Sequence, residues 1–406
     1  MEVNTTESAP VPDPLALDEP RAEEVEETED NTQSVWEHDP LAQIPIKVLR
    51  GHTDTISSCQ LAFSDQKLVT SSHDKTAILW DVESGRPLRV FEGGHTAPVS
   101  QCALIPQKNR LITSSWDKTL QAWDLETGQT LWSVPQEGLL TSCSASGDGE
   151  VVASASDMVN GLCLTCTDTG KQITFIKGHH KSTITRCCFD PLGQHVATVS
   201  SDKTIKLWDQ RSRHTTLSIA SSHTSVISNC CFTRDARYLC SASWDKTLQL
   251  WDVSTGTFRS HGGKSLSFAH DGCVSACMFS HDASLLVSGA YDRTVAVWDM
   301  KAICKLLLLK GHMDWVMDVA ISEDKKWVVS CSKDKTVRMW NIEHTEEIPA
   351  VIETRRTQAQ GYQIIKCEEC ARSFSVFRME SDATNKCVFC RLKAPTKYIP
   401  LPPPCF

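Results

Sequence analysis

The stretch Ser115–Asp124 reads SWDKTLQAWD and returns at Ser243–Asp252 as SWDKTLQLWD. Looser copies stand at 71–81 (SSHDKTAILWD), 199–209 (VSSDKTIKLWD), 289–299 (GAYDRTVAVWD) and 331–341 (CSKDKTVRMWN). Each has small polar residues, an Asp-Lys/Arg-Thr turn, and an alternating strand that ends in Trp-Asp or Trp-Asn. Self-similarity at a period of forty-odd residues marks a repeat architecture and governs every local reading.

Working outward from these copies, a His is followed six times after 18 positions by Ser or Thr, after 22 by Asp and after 28 by Trp. The sets are His52/Thr70/Asp74/Trp80, His95/Thr113/Asp117/Trp123 and His180/Thr198/Asp202/Trp208. Then come His223/Ser241/Asp245/Trp251, His270/Ser288/Asp292/Trp298 and His312/Ser330/Asp334/Trp340. Successive His residues are 43, 85, 43, 47 and 42 apart. The 85 is a double step, so a seventh, degenerate unit lies near residues 135–170. There Gln136 stands for His, Met158 for Asp, and Leu164 or Thr165 for Trp.

Within each unit apolar residues alternate in short runs separated by Gly, Asp and Ser, the signature of antiparallel strands and tight turns. Three strands fit between a His and its Trp, and a fourth before the next His. Small sheets of this kind bury their faces only against one another, so a ring of seven is expected. The Gly-His and Trp-Asp marks resemble WD40 repeats over about Ile44–Asn341. That resemblance implies an all-β, seven-bladed β-propeller. It also implies that the His, Ser/Thr, Asp and Trp of a repeat hydrogen-bond as a structural tetrad, and that the strand before the first Gly-His, Ile44–Leu49, closes the last blade. A catalytic triad would occur once in one cleft; six copies at identical spacing read as scaffold.

The remaining segments are appendages: an acidic tail (1–43), the propeller (44–341), a linker (342–360), a cysteine-rich module (361–395) and a Pro-rich tail (396–406). Residues 1–40 hold 13 Asp/Glu against Arg21 alone, leaving +3 on the rest of a chain whose net charge is −9. Such a composition cannot bury enough apolar surface to fold, so disorder is expected. There are 19 Cys, but no basic start with an apolar segment at the N-terminus and no apolar run long enough for a membrane span. A reducing cytoplasmic or nuclear compartment is expected.

Cys59, Cys102, Cys143, Cys187, Cys230 and Cys277 recur at one place in six blades and read as small buried hydrophobes. Cys367, Cys370, Cys387 and Cys390 differ, because they form C-x2-C-x16-C-x2-C. That spacing suits a closed four-thiolate zinc site, structural because no position is left for water. Phe374, Phe377 and Phe389 would pack around it.

For function, the residues flanking the turn Asp matter most. In WD40 proteins such turns line a partner-binding face, which here would carry His73, Trp116, Trp244, Tyr291 and Lys333, with Trp315 beside them. An aromatic cluster of Trp116, Trp244, Tyr291 and Trp315 would suit a protein interface. The next residue is Lys75, Lys118, Lys203, Lys246, Arg293 or Lys335, a ring of six cations able to attract an acidic segment such as the chain's own tail. Trp208, Asp209 and Arg211 resemble the WDxR box with which some WD40 proteins dock on a cullin-type ubiquitin-ligase adaptor. The expected function is a non-enzymatic, monomeric protein-interaction scaffold, with a ligase substrate receptor as the alternative. Nucleic acid is disfavoured, since residues 341–406 carry nine Lys/Arg and eight Asp/Glu rather than a basic patch. No phosphate-binding Gly loop or HExxH motif points to an enzyme.

Overall fold

The computed structural model describes residues 44–256, 262–266, 269–348, 351, 352 and 355, and the backbone of 362–366 and 373–377. Seven four-stranded antiparallel sheets form the blades. Blade 1 runs Ile56–Ala62, Lys67–Ser72, Ala77–Asp81 and Pro87–Phe91 from inside to outside. The inner strands of blades 2 to 7 are Val99–Ile105, Leu140–Ala145, Ile184–Phe189, Ile227–Phe232, Val274–Phe279 and Val316–Ile321. Each packs against the next, and that of blade 7 returns against that of blade 1.

Second strands lie between two neighbouring blades and lose the alternation of a one-sided sheet: after Lys67, every residue of Lys67–Ser72 is buried. Outer strands such as Pro87–Phe91 stay mostly exposed. Blades are joined by apolar packing and by hydroxyls. Trp123 of blade 2 packs on Val69, Leu79 and Phe91 of blade 1, and Trp80 of blade 1 packs on Val337 and Met339 of blade 7. Ser57, Thr141, Thr185, Ser228 and Ser275 donate to carbonyls of the following blade at 2.5–2.7 Å. Side-chain donors are used there because the inner strand bulges, leaving those carbonyls outside the ladder.

The ring closes as expected, but the strand starts two residues later and ends one residue later than Ile44–Leu49: Ile46–Arg50 is the outer strand of blade 7. Ile46 lies opposite Trp340 and Arg50 opposite Thr336, so an open sheet edge between first and last repeats is removed. Past Asn341 the chain stays on the propeller, with Ile342 and Val351 buried against Leu306, Leu307 and Ile44. Strands Tyr362–Lys366 and Ser373–Phe377 pair as a separate hairpin, Lys366 opposite Ser373. The expected disordered tail, the four zinc-ligand cysteines and the Pro-rich tail lie outside the described residues.

Candidate interaction face and its supporting tetrads

Strand direction puts every His and every turn Asp at one end of its blade. In blade 2 the bonds run in series: Trp123 Nε1–H donates to Thr113 Oγ1 at 2.8 Å, that hydroxyl meets His95 Nε2 at 2.7 Å, and His95 Nδ1–H donates to Asp117 at 2.8 Å. Blade 1 repeats the series through Trp80, Thr70, His52 and Asp74. Blade 5 does so through Trp251, Ser241, His223 and Asp245. Blade 6 uses Trp298, Ser288, His270 and Asp292, and blade 7 uses Trp340, Ser330, His312 and Asp334.

Only the Asp end of each series comes near the surface. Thr70, Ser241, Ser288 and Ser330 are wholly buried, and Trp251 and Trp298 are 1 % and 3 % exposed. These six differ from the other candidate site positions, the turn residues, in that no partner can reach them. Each hydroxyl is enclosed between an imidazole and an indole, so it acts only as an internal support. Asp117 also accepts from the backbone of Thr96 and from Thr119. Burial works against its charge, yet those bonds hold the carboxyl below the usual range. Burial likewise lowers the His95 and His312 imidazoles, keeping them neutral. The tetrads fix the turns.

Blade 4 departs from the expected tetrad. His180 still meets Thr198 at 2.8 Å and Asp202 at 3.2 Å, but Trp208 Nε1 is buried and finds no hydrogen-bond partner among the described residues. The cause is His179, at the position before the tetrad His that Gly51, Gly94, Ser222, Ala269 and Gly311 fill elsewhere. That position lies against the indole: a Cβ on Gly51 or Gly311 would stand 2.7 or 2.8 Å from the Trp80 or Trp340 ring. The larger imidazole of His179 packs edge-on to Trp208 and takes the Thr198 oxygen at 3.0 Å. Burial holds the imidazoles of His179 and His180 down to about 3 and about 4. In blade 3, Gln136 does occupy the His place and accepts from Ser154 at 2.8 Å. Thr165, opposite Val152, holds the Trp place, and Met158 is exposed.

The turns supported by this frame carry the candidate surface. Lys75, Lys118, Lys203, Lys246, Arg293 and Lys335 are all exposed and all left-handed, with φ between 66° and 74°. Gly or Asn adopts that conformation at lower cost, yet each of these six turns places a cation there. The aromatic residues do not form one cluster. Trp116 meets His73 of blade 1, ring centroids 5.0 Å apart. Trp315 stacks on Tyr291 at 4.7 Å and 20° between planes, with Lys333 Nζ 4.4 Å over the indole. Trp244, 41 % exposed, has no ring contact with either pair among the described residues. Blades 6, 7, 1 and 2 are consecutive around the ring, so both pairs lie on one arc.

Two features escaped sequence reasoning. Met313 is 60 % exposed beside Trp315, at a position where the other six blades carry Thr53, Thr96, Glu137, Lys181, Thr224 and Asp271; that contrast was its signal. Arg186 of blade 4 reaches Asp318 of blade 7 across the central channel at 3.1 Å. Both stand six residues past a tetrad His, as do Ser58, Gln101 and Asn229, and this series lines the channel. Of the WDxR residues, Trp208 is buried, while Asp209 accepts from the Arg211 backbone at 2.9 Å at the opposite end of the blade. Arg211 is exposed.

The family model "WD domain, G-beta repeat" matches residues 43–81, 85–124, 170–209, 214–252, 262–299 and 304–341, and with its seven-bladed ring the chain belongs to the WD40-repeat propellers. It is 46 % identical over 386 residues to WD repeat-containing protein 88 of Homo sapiens, covering 94 % of this chain and 81 % of that protein. Shorter likenesses span about one repeat. Guanine nucleotide-binding protein subunit beta-5b of Danio rerio is 52 % identical over 42 residues, 10 % of this chain and 11 % of that protein. Guanine nucleotide-binding protein subunit beta of Zea mays is 42 % identical over 48 residues, 12 % of this chain and 13 % of that protein. No helix among the described residues is long and apolar enough to cross a membrane.

Proposed function

We propose that the chain is a non-enzymatic interaction scaffold that binds partner proteins through the arc of turns on blades 6, 7, 1 and 2. The supporting observation is the stack of half-buried Tyr291 on exposed Trp315, flanked by Lys333 and Met313. A rigid aromatic pair beside a cation and a flexible thioether offers large apolar area at low ordering cost, with a charge to orient an acidic group. Affinity capture from cells, comparing wild type with Tyr291→Ala/Trp315→Ala at matched expression, tests it. Proteins lost with the variant support this face; an unchanged set sinks it.

Zinc is the proposed cofactor of the C-terminal module, held by Cys367, Cys370, Cys387 and Cys390. Its support is the sequence spacing together with the described hairpin, whose six-residue connection contains Cys367 and Cys370. Metal analysis of the full chain should find about one zinc per molecule, lost on Cys367→Ser/Cys387→Ser; no bound zinc in the wild type rejects the site. A second reading, docking on a cullin-ligase adaptor, draws on the exposure of Arg211. It requires adaptor co-purification that Arg211→Ala abolishes.

A further inference from the structure

Inner strands of blades 4 and 5 contain the doublets Cys187-Cys188 and Cys230-Cys231, and that of blade 6 contains Cys277. Counted from the tetrad His, or from Gln136 in blade 3, the seventh residue is Cys in blades 1 to 6, and the eighth is Cys only in blades 4 and 5. The fold brings the eighth residue of one blade against the seventh of the next. Cys188 Sγ lies 3.4 Å from Cys230 Sγ, and Cys231 Sγ lies 3.6 Å from Cys277 Sγ. The two contacts are therefore one geometric relation repeated, and of the eighth-to-seventh junctions only these two place a thiol on both sides; Cys331 of blade 7 meets Cys59 of blade 1 from a second strand instead. At the other junctions the eighth residue is Gln60, Ala103, Ser144, Met278 or Ala320.

All four cysteines are among the residues that line the central channel, a cavity of about 420 Å³ that Arg186 also lines; Cys188 and Cys231 are half-buried, and Cys230 and Cys277 are buried. A molecule the size of a peroxide fits that space. Hydrogen bonds from Cys231 and Cys240 hold the Cys277 thiol below its ordinary range against the opposing effect of burial, and Arg186 adds to the lowering. Thiolate character of this kind marks Cys277 for oxidation, whereas the Cys188 thiol is pushed up by its hydrogen bond with Cys230 and by burial, and that of Cys231 by burial.

We infer that Cys188/Cys230 and Cys231/Cys277 are a tandem oxidisable site, converted by peroxide into two disulfides that join the inner strands of blades 4, 5 and 6. In each pair one sulfur attacks a peroxide oxygen and the O–O bond breaks. A sulfenic acid forms, and the other oxygen leaves as water. The second sulfur attacks the sulfenic sulfur; the S–S bond forms and a second water departs. Each pair thus gives two electrons and two protons to one peroxide, which becomes two waters. The sulfurs close from 3.4 and 3.6 Å to about 2.05 Å.

The test uses the full-length reduced chain, treated with hydrogen peroxide, alkylated, digested with trypsin and sequenced by mass spectrometry. Residues 187–203, 214–234 and 265–293 each fall in their own tryptic peptide. The expected product is these three peptides joined by two disulfides. Thiols titrated after denaturation should fall by four of the 19, and dithiothreitol should restore them. Cys230→Ser should lose the 187–203 link and retain that between 214–234 and 265–293. Met158, 72 % exposed, reports that oxidant acted. If Met158 becomes sulfoxide while all four cysteines remain alkylatable, or if links form through Cys187 or Cys240 instead, the inference is wrong.

Discussion

Replacing His179 by Ala asks whether this one side chain is what disables the blade 4 tetrad. Two terms oppose each other at neutral pH. Trp208 Nε1 would regain Thr198 as acceptor, removing a buried unpaired N–H that costs about 1–3 kcal/mol. Lost are the His179 bond to Thr198 and the imidazole packing against Trp208, together of similar size. The stabilities at about pH 7.5 should therefore agree within about 1 kcal/mol.

Acid separates them. Burial holds His179 at about 3 in the folded chain, against about 6.5 when unfolded. Below pH 6.5 the unfolded wild type takes up a proton that the folded form refuses. It loses about 1.4 kcal/mol per pH unit at this site until the pH nears the folded value. The variant has no such group, and His180 is common to both. The gap in favour of the variant should open to roughly 2.7 kcal/mol by about pH 4.5. Urea titrations followed by far-ultraviolet circular dichroism across this range measure it. A gap that stays constant with pH, or a wild type that remains the more stable at the acid end, refutes the reasoning.

Trp123→Phe removes the indole bond to Thr113 and should cost about 1–2 kcal/mol, whereas Trp208→Phe, with no such bond to lose, should cost roughly 1 kcal/mol less; paired denaturation curves decide it. Arg186→Leu strands Asp318 in the channel wall and should destabilise by about 3–5 kcal/mol, while Arg186→Leu/Asp318→Leu should recover most of that. A double-mutant cycle in urea reads the difference. Deleting residues 1–50 removes the outer strand of blade 7 and the buried Leu49, so the product should aggregate, while deleting 1–43 should leave the melting temperature unchanged. Gel filtration and thermal melts distinguish these two truncations.

The architecture was legible because each blade repeats one hydrogen-bond series, and the series demands fixed residue types at fixed offsets. Even the degenerate blade could be placed, since Gln136 and Ser154 keep one bond of the four-residue set. The failure in blade 4 was also written in the chain, as Gly-His-His at 178–180. It is hard to read because a repeat is recognised by its tetrad residues and not by the space they need. The single aromatic cluster expected from turn positions proved to be two pairs. Offsets along a repeat assign a residue to a blade, but lateral contact depends on which neighbour leans toward it: His73 toward Trp116, Trp315 toward Tyr291. Arg186 and Asp318 lie 132 residues apart and meet only because the ring curves back on itself, a relation no local pattern contains.

The closing strand also decides how anything attached to the chain ends is presented. Ile46 faces Trp340 at the far end of blade 7, while Arg50 faces Thr336 beside the Asp334 turn. The described chain therefore begins and leaves the last blade at the end opposite the aromatic arc. The five-residue strand between sets a thickness of roughly 17 Å. The propeller is in this respect a two-sided plate: the turns present one side, and the described points where the terminal segments join the last blade, next to Ile46 and Asn341, lie at the other. An assembly built on both would be bridged without its members having to touch.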